Sequence, residues 1–390
     1  MTITPPIIME TLPCLTIAAH FCVSFVTTAL VYRHVLRICI EKDITDKPCS
    51  RKLQQTPVPV LGGVAVFVGM LAAMIVGGII SDISRLYPVV CIMTLMLCVG
   101  VTDDILGLTP VSRIAVEVAA VLALVYATGC SIDDFHGLWG IGQLPGWLSV
   151  CLTVFAGVGI INSVNLIDGV NGLCSGYCIF ACSAFGVYSL LSGDNQTATL
   201  AAVCIGALLP FLCHNVFGQT SKMFIGNGGT MLMGTVMVFF VISRIHGAEM
   251  PSEIPFTLAV LSIPVFDTVR VMGVRMLKGR SPFSPDKGHL HHLLFTIHFS
   301  HVGTTLTEIL FGTTVTVAWW VSNSLGVPAD VQLYIVMALG FCFTSGIYAL
   351  VEHIQKHCPK LFATLCRLLG DLTHFGHSRW WLKIGKVMDR

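Results

Sequence analysis

Long apolar runs recur along almost the whole chain and constrain its fold more than any other feature. Each run approaches the roughly 20 residues that cross the hydrocarbon core of a bilayer as a helix. Only 11% of the 390 residues are charged, against about 25% in soluble domains, so a polar surface cannot cover the apolar residues. We therefore predict an all-α polytopic membrane protein with about 10–11 transmembrane helices. The runs fall at about 12–32, 60–80, 86–102, 113–130, 147–162, 173–191, 198–214, 230–246, 254–273, 305–323 and 331–350.

The basic residues predict how these spans are oriented. With the N-terminus outside, 20 of the 22 Lys and Arg fall in cytoplasmic segments, and only Arg85 and Arg244 lie outside. Cytoplasmic loops of membrane proteins carry such an excess, so we predict an external N-terminus and a cytoplasmic C-terminus. The formal net charge of +1 excludes a strongly basic nucleic-acid-binding protein.

The pattern of apolar runs also divides the chain. Residues 1–350 are predicted as one integral membrane domain, and residues 351–390 as a basic cytoplasmic tail. The tail contains Trp380 and Trp381 among basic residues, which is typical of an amphipathic helix on an anionic membrane surface. A solvated tail fits the composition equally well, so both interpretations stay open.

Polar residues at the ends of the apolar runs are not scattered. In the predicted orientation they all lie at the cytoplasmic face, whereas purely structural polar residues would have no reason to share one side. Polar groups at membrane depth are costly and usually functional, so we predict the active site at this face. The cluster comprises Asp103, Asp104, Asn162, Asn165, Asp168, Asn171, His214, Asn215, Asn227, Asp267, Asp286, His289, His291 and His292.

The adjacent pair Asp103 and Asp104 ends the third run. Two carboxylates in one helical turn repel each other unless a proton or a cation separates them. Mg²⁺ prefers oxygen ligands and keeps open positions for phosphate, so the pair indicates a magnesium site. The alternative is a pair of solvated carboxylates at a helix end.

Two glycine-rich segments accompany the carboxylates. The stretch from Asn165 to Gly172 reads NLIDGVNG, and the stretch from Phe224 to Thr230 reads FIGNGGT and opens a run. Such loops present backbone N–H groups to phosphate, and the start of a helix attracts an anion. Neither stretch is a Walker loop or a complete dinucleotide fingerprint, so nucleotide hydrolysis is not indicated. A plain turn with Asx hydrogen bonds is the alternative for the first stretch.

A histidine-rich loop follows the ninth run and ends in Lys287, His289, His291 and His292. We interpret it as a phosphate-binding loop of imidazoles and a lysine. A zinc site is the alternative, but no cysteine or carboxylate completes it at the usual ligand spacing.

At these motifs the sequence resembles the polyprenyl-phosphate N-acetylhexosamine-1-phosphate transferase family, and most closely its bacterial undecaprenyl-phosphate N-acetylglucosamine-1-phosphate transferases. The resemblance covers about residues 12–350, with the motifs in the same order. The segments that carry it are Asp46-Lys-Pro, PVLGG at 59–63, TDDILG at 102–107, NSVNLIDGVNGL at 162–173, FIGNGGT at 224–230 and SPFSPDKGHLHH at 281–292.

The resemblance implies an activity and a location. A polyprenyl phosphate would attack a UDP-N-acetylhexosamine, giving polyprenyl-diphosphate-sugar and UMP, as the first membrane step of cell-envelope polysaccharide synthesis such as that of lipopolysaccharide O-antigen. The protein would lie in the bacterial inner membrane, with a periplasmic N-terminus. Mg²⁺, or alternatively Mn²⁺, would be the cofactor. The oligomeric state is open, with a homodimer as one alternative.

The resemblance also implies roles for individual residues. Asp103, Asp104 and Asp168 would be catalytic, and Asp104, Asn165 and Asn227 would hold the metal. Phe224 would stack on uracil, and the remaining side chains would contact the substrates. This substrate-binding set is Lys52, Asn165, Asn171, Asn215, Phe224, His289, His291 and His292.

Three positions depart from the family pattern. Asn227, Asn171 and Gly107 stand where relatives often carry aspartate. An amide oxygen can still ligate Mg²⁺ but brings no negative charge, so the departures favour an active transferase with a weakened or rearranged metal site. The alternatives are a catalytically weakened homologue that still binds UDP-sugar or lipid phosphate, and a nucleotide-sugar or lipid transporter. A transporter would place polar residues at mid-membrane.

Overall fold

The protein is almost entirely helical in the computed structural model, which describes residues 6–46, 56–248, 250–282, 287–373 and 379–389. The strands described are β1 (Thr45–Asp46) and β2 (Val58–Pro59), which pair antiparallel. The helices are α1 (Pro6–Glu41), α2 (Gly62–Ile80), α3 (Tyr87–Leu106), α4 (Pro110–Thr128), α5 (Gly146–Leu166), α6 (Leu173–Leu191), α7 (Asn195–Phe217), α8 (Gly226–Ile245), α9 (Glu253–Val260), α10 (Ser262–Leu277), α11 (Leu290–Thr296), α12 (His301–Ser324), α13 (Ala329–Phe341), α14 (Ile347–His357), α15 (Pro359–Thr373) and α16 (Arg379–Met388).

The predicted all-α membrane architecture is confirmed, and each of the eleven apolar runs is largely helical. Among the described residues, nine helices are long and apolar enough to cross a membrane, or ten if α9 and α10 form one span bent by 76°. The run at 305–323 does form a helix, α12, but this helix is not among those spans. Six threonines and Glu308 make it more polar than its length suggested.

Helix α8 is the centre of the bundle. In the segment of α8 that would cross the membrane, 89% of the residues are buried, a larger share than in any other span described. Helices α2, α3 and α5 pack around it. The approach of α2 is possible because Gly63 and Gly229 face each other, and a Cβ on Gly63 would lie 2.3 Å from the backbone nitrogen of Gly229. Small residues of this kind let helices in a membrane come close.

The C-terminal part of the chain forms three helices rather than an irregular segment. Helix α14 continues from α13 through the π-helical turn Cys342–Gly346, so Ala329–His357 is one continuous helix. The boundary predicted at residue 350 falls within this helix, and the chain leaves it at Cys358. Helices α15 and α16 then fold back onto the loops at the end of the bundle that carries the polar cluster.

Candidate active site

Two of the glycine-containing motifs are joined by backbone hydrogen bonds. The N–H of Phe224 donates to the carbonyl of Pro59 (2.8 Å), and the N–H groups of Gly62 and Gly63 donate to the carbonyls of Phe224 (3.0 Å) and Ile225 (2.8 Å). This pairing fixes the chain immediately before α8. The Phe224 ring stays partly exposed beside it, at the edge of the site.

Asp104 binds the start of α8 directly. Its two carboxylate oxygens accept hydrogen bonds from the N–H groups of Asn227 (2.9 Å) and Gly228 (3.1 Å). Gly226 has a φ of +72°, and a Cβ there would lie 2.6 Å from the Asp104 carboxylate. A negative charge at a helix N-terminus is stabilising. The start of α8 does bind an anion, as the sequence predicts, and this anion is the Asp104 carboxylate.

Asp103 points to different partners. One of its carboxylate oxygens accepts the N–H of Leu108 (2.7 Å), and the other lies 3.8 Å from the Arg113 guanidinium. The Arg113 guanidinium is thus a cation beside Asp103, and the N-terminus of α8 compensates the charge of Asp104. Repulsion between the two carboxylates therefore does not by itself require a metal ion.

Arg113 connects several of the predicted residues, although from sequence alone it counts only as one basic residue of a cytoplasmic loop. Its Nε donates to the fully buried Glu117 (3.2 Å), and one Nη donates to the amide oxygens of Asn162 (3.1 Å) and Asn165 (3.0 Å). Asn162 in turn donates to Glu117. An acidic residue four positions after an arginine, inside an apolar run, was the signal that could have revealed this pair.

Asn165 links the end of α5 to the start of α8. Its Nδ2 donates to Oδ1 of Asn227 (2.9 Å) and to the hydroxyl of Thr230 (2.6 Å). Asn165 and Asn227 are thus adjacent, as their predicted shared role requires. Asp104 completes this junction through the backbone of Asn227.

Asp168 lies one turn beyond Asn165, outside the membrane-spanning helices. Burial, followed by the negative charges of Asp104 and Asp46, raises the pKa of the Asp168 carboxyl to about 7. Burial and neighbouring negative charge therefore disfavour the ionised form of Asp168. A divalent cation bound beside this carboxyl would reverse the shift.

The Asn215 side chain forms hydrogen bonds to both glycine-rich segments. Its Oδ1 accepts the N–H of Gly172 (2.6 Å), and its Nδ2 donates to the carbonyl of Met223 (2.7 Å). Asn171, next to Gly172, is held through its backbone by His301 and Thr305. The buried Asn215 amide thus uses both of its ends on backbone groups.

Replacing Asn215 with alanine should loosen both loops. The Gly172 N–H and the Met223 carbonyl would each lose a partner, and a buried group left unpaired costs about 1–3 kcal/mol. We expect a lower Tm, with the change in hydrogen exchange concentrated at residues 169–173 and 222–225. Exchange that rises uniformly along the chain would contradict this local role.

The histidine loop is tied to α10 through Asp267. Asp267 accepts the backbone N–H of Leu290 (3.1 Å), pairs with Nδ1 of His289 (2.8 Å) and receives an Arg270 guanidinium N–H (2.6 Å). The sequence placed Asp267 in the polar cluster without a role. Its role in the fold is to hold the start of α11.

The histidine side chains then face the carboxylate motif. Nε2 of His291 lies 2.8 Å from the position of a Cβ built on Gly169, so this ring reaches the neighbour of Asp168. Burial, followed by the charges of His292 and His289, lowers the pKa of His291 to about 3, so the imidazole is neutral. The buried Nε2 of His289 and Nδ1 of His291 have no hydrogen-bond partner among the described residues.

The residues in this region suit a hard cation better than zinc. Within the described ranges, no three His, Cys, Asp or Glu side chains form a metal-binding group. The carboxylates of Asp104 and Asp168 are close enough to interact, and the amides of Asn165 and Asn227 are hydrogen-bonded to each other. This composition fits Mg²⁺, which usually binds one or two carboxylates in addition to substrate phosphates. The predicted substrate residue Lys52 lies outside the described residues.

A comparison with known protein families finds a match to the segment that contains most of these site residues. The model of glycosyl transferase family 4 matches residues 86–245, from just before α3 to the end of α8. Through these residues the chain is similar to glycosyl transferase family 4. Asp103, Asp104 and the NLIDGVNG loop all lie within the family 4 segment, whereas the histidine loop lies beyond it.

Individual relatives extend the similarity to most of the chain. The chain is 26% identical over 352 residues to the probable undecaprenyl-phosphate N-acetylglucosaminyl 1-phosphate transferase of Bacillus subtilis (strain 168), covering 90% of this chain and 97% of that relative. It is 28% identical over 267 residues to the undecaprenyl-phosphate alpha-N-acetylglucosaminyl 1-phosphate transferase of Yersinia pestis (68% and 73% covered). The transferase of that name from Escherichia coli (strain K12) is 27% identical over 289 residues (73% and 78% covered).

Proposed function

We propose that this protein transfers N-acetylhexosamine-1-phosphate, most specifically N-acetylglucosamine-1-phosphate, from a UDP-sugar to undecaprenyl phosphate. The relatives' names support the sugar phosphate and the lipid acceptor. The observation that carries the proposal is the junction of Asp104, Asn165 and Asn227 beside Asp168, with the histidine loop facing it. These groups come from four separate motifs and meet at one end of the bundle.

The reaction needs one bond to form and one to break. An oxygen of the lipid phosphate forms a bond to the β-phosphorus of the UDP-sugar, and the bond from this phosphorus to the oxygen shared with the α-phosphate breaks. UMP leaves with that oxygen and its electron pair. A phosphate monoester with a second pKa near ~6 is already mostly ionised at neutral pH, so no side chain has to remove a proton first.

The chain's residues would position and compensate the phosphates. Mg²⁺, or Mn²⁺, when bound, neutralises the charge that two anionic substrates bring together. Asp104, Asn165 and Asn227 would hold the ion with Asp168 nearby. His289 and His291 have unpaired ring nitrogens that can contact phosphate oxygens, and the partly exposed Phe224 ring can stack on uracil. His292, Asn171 and Lys52 complete the proposed substrate contacts.

Asp103 and Asn215 take supporting roles in this proposal. Asp103 binds Leu108 and faces Arg113, and Asn215 uses its amide on two backbone groups. We infer that both residues position the site and do not contact substrate.

Metal binding should depend on pH through Asp168. With a pKa of about 7, this carboxyl is about half protonated near neutral pH, and a cation must displace the proton. We expect apparent Mg²⁺ affinity to rise with pH, by up to about tenfold per unit below that pKa. The Mg²⁺-dependent shift in Tm, measured at several pH values, reports this affinity. The pH dependence near pH 7 should weaken in Asp168→Asn, and an undiminished dependence there would contradict the assignment.

Asn227→Asp tests whether the amide at this position limits the metal site. An aspartate can still accept the hydrogen bond from Asn165 Nδ2, and its added charge should strengthen cation binding. We expect the Mg²⁺ concentration for half-maximal activity to fall about tenfold, equivalent to ~1.4 kcal/mol, with maximal turnover changed much less. A large loss of turnover at saturating Mg²⁺ would show that the site is built around the amide.

The proposed activity is tested by UMP release. Purified protein is incubated with undecaprenyl phosphate and a panel of UDP-N-acetylhexosamines while Mg²⁺ and Mn²⁺ are varied. We expect UMP only when lipid acceptor, UDP-sugar and metal are all present. Binding of UDP-sugar without turnover at any metal concentration would favour the catalytically weakened homologue, and UDP-sugar uptake into proteoliposomes without product would favour a transporter.

The placement of the protein in the cell is part of the proposal. We propose the bacterial inner membrane, with the N-terminus periplasmic, the C-terminus and active site cytoplasmic, and cell-envelope polysaccharide as the destination of the product. Protease added to intact inside-out vesicles should then remove an epitope placed after residue 390 and spare one placed before residue 1. The opposite pattern would contradict this orientation.

A further inference from the structure

Helix α15 has one face against the protein. Phe362 and Leu369 pack against the core, Cys366 is buried, and the Thr373 hydroxyl accepts the backbone N–H of Ser300 (3.1 Å). These residues recur every three to four positions, which is one stripe of a helix. This stripe attaches α15 to the loop between α11 and α12.

A second stripe of α15 is apolar and exposed. Leu361, Leu368 and Leu372 are 49%, 54% and 67% exposed, and at 3.6 residues per turn they line up about a quarter turn from the attached stripe. Lys360 and Arg367 lie on the far side of this leucine stripe and are exposed. Going around α15, the stripe that packs on the protein is therefore followed by the exposed leucine stripe and then by the basic residues.

Helix α16 repeats this order. Trp381 packs on Phe217 with ring centroids 4.5 Å apart, and a Cβ on Gly385 would lie 2.9 Å from the Phe217 carbonyl. Trp380 and Val387, 63% and 58% exposed, form the neighbouring apolar stripe. The exposed side chains of Lys383 and Lys386 follow it.

We propose that α15 and α16 lie in the membrane interface and bind an anionic lipid surface. In this arrangement the leucine and tryptophan stripes enter the acyl boundary while the lysines and arginines meet the headgroups. Charge complementarity supports this occupant, because residues 351–390 contain seven Lys or Arg and only three Asp or Glu. Continuity supports it as well, since the chain reaches α15 directly from the spanning helix Ala329–His357.

A second copy of the chain fits the same surface poorly. A stable protein interface buries about 800 Å² on each partner, whereas each exposed stripe here is a single row of side chains bordered by basic residues. Two identical basic edges would also repel each other. A lipid surface, in contrast, can accommodate a narrow row of apolar side chains without a matching pocket, and its anionic headgroups carry the charge opposite to that of the basic residues.

The interfacial helices also hold a loop that leads into the active site. Oδ1 of Asp389, just after α16, accepts the backbone N–H groups of Gln219 (3.0 Å), Thr220 (3.1 Å) and Ser221 (3.0 Å). That loop continues through Met223 to Phe224. Binding of α16 to lipid would thus steady the segment that carries the Phe224 ring.

Photocrosslinking of the full chain in lipid nanodiscs tests the proposal. A photoreactive amino acid is placed at Leu368 or Val387, and at the exposed Ala363 as the control on the side of α15 away from the leucine stripe, in phosphatidylcholine with or without phosphatidylglycerol. We expect lipid adducts at Leu368 and Val387 well above those at Ala363, measured by mass spectrometry. Equal adducts at all three positions, or adducts to a second copy of the chain, would overturn it.

The charge requirement is tested in the same preparations. Each basic residue near an anionic surface contributes about fivefold in binding, so Lys383→Gln with Lys386→Gln should remove most of the enrichment that phosphatidylglycerol gives at Val387. UMP release by the same variant is measured separately and is not needed for this result. An adduct yield that is indifferent to phosphatidylglycerol in the parent would overturn the anionic-surface assignment.

Discussion

Replacing Arg113 with methionine should destabilise the protein strongly and abolish its activity. The substitution leaves Glu117, which is fully buried, without its cation, and removing one partner of a buried ion pair costs about 3–5 kcal/mol. It also frees the amide oxygens of Asn162 and Asn165. Thermal unfolding in detergent and UMP release are the measurements. A variant as stable and active as the parent would contradict the role given to Arg113.

The double variant Arg113→Met with Glu117→Leu separates stability from positioning. Replacing a buried ion pair by apolar residues of similar volume is often neutral for stability, so the Tm should recover most of what the single change lost. Activity should stay low, because Asn165 and Asp103 still lack the guanidinium. Recovery of full activity together with the Tm would show that Arg113 serves stability alone.

Asp104→Asn should have the largest effect on turnover that leaves the fold in place. An amide at this position can accept only one of the two N–H groups at the start of α8 and adds no charge for a cation. Loss of a central electrostatic group costs roughly 10²–10³-fold in rate. UMP release at saturating Mg²⁺ measures this loss.

Two other aspartates serve as controls for Asp104. Asp194 also caps a helix, accepting the backbone N–H and hydroxyl of Thr197 at the start of α7, at the opposite end of α6 from the NLIDGVNG loop. Asp194→Asn should therefore lower the Tm slightly and leave turnover unchanged. Asp103→Asn should have a smaller effect than Asp104→Asn, since an amide oxygen can still accept the Leu108 N–H. Equal losses in all three variants would contradict a special role for Asp104.

The architecture and the meeting of the motifs followed from the sequence because both depend on local patterns. Apolar runs of bilayer length predict helices, and polar residues at the same end of successive runs must come together. The 305–323 run likewise forms the long helix α12, which its threonines and Glu308 make more polar than the other long helices.

The partners within the site could not be predicted, because they depend on tertiary contacts between separate helices. From sequence alone Arg113 counts only as a basic residue of a loop, because its contacts with Asn162 and Asn165 depend on the packing of α4 against α5. The N–H groups that open α8 predict an anion there, but not that the anion is the Asp104 carboxylate. Asn215 looked like a substrate contact, yet the carbonyl of Met223 and the N–H of Gly172 claim both ends of its amide.

The most direct test of the account follows the two phosphorus atoms of the donor. The protein is given undecaprenyl phosphate, Mg²⁺ and UDP-N-acetylglucosamine that carries radioactive phosphorus at either the α or the β position. We predict that the β label moves into the lipid while the α label leaves as UMP, and that Asp104→Asn prevents both. A lipid product without the β label, or release of UDP in place of UMP, would contradict transfer of the sugar phosphate.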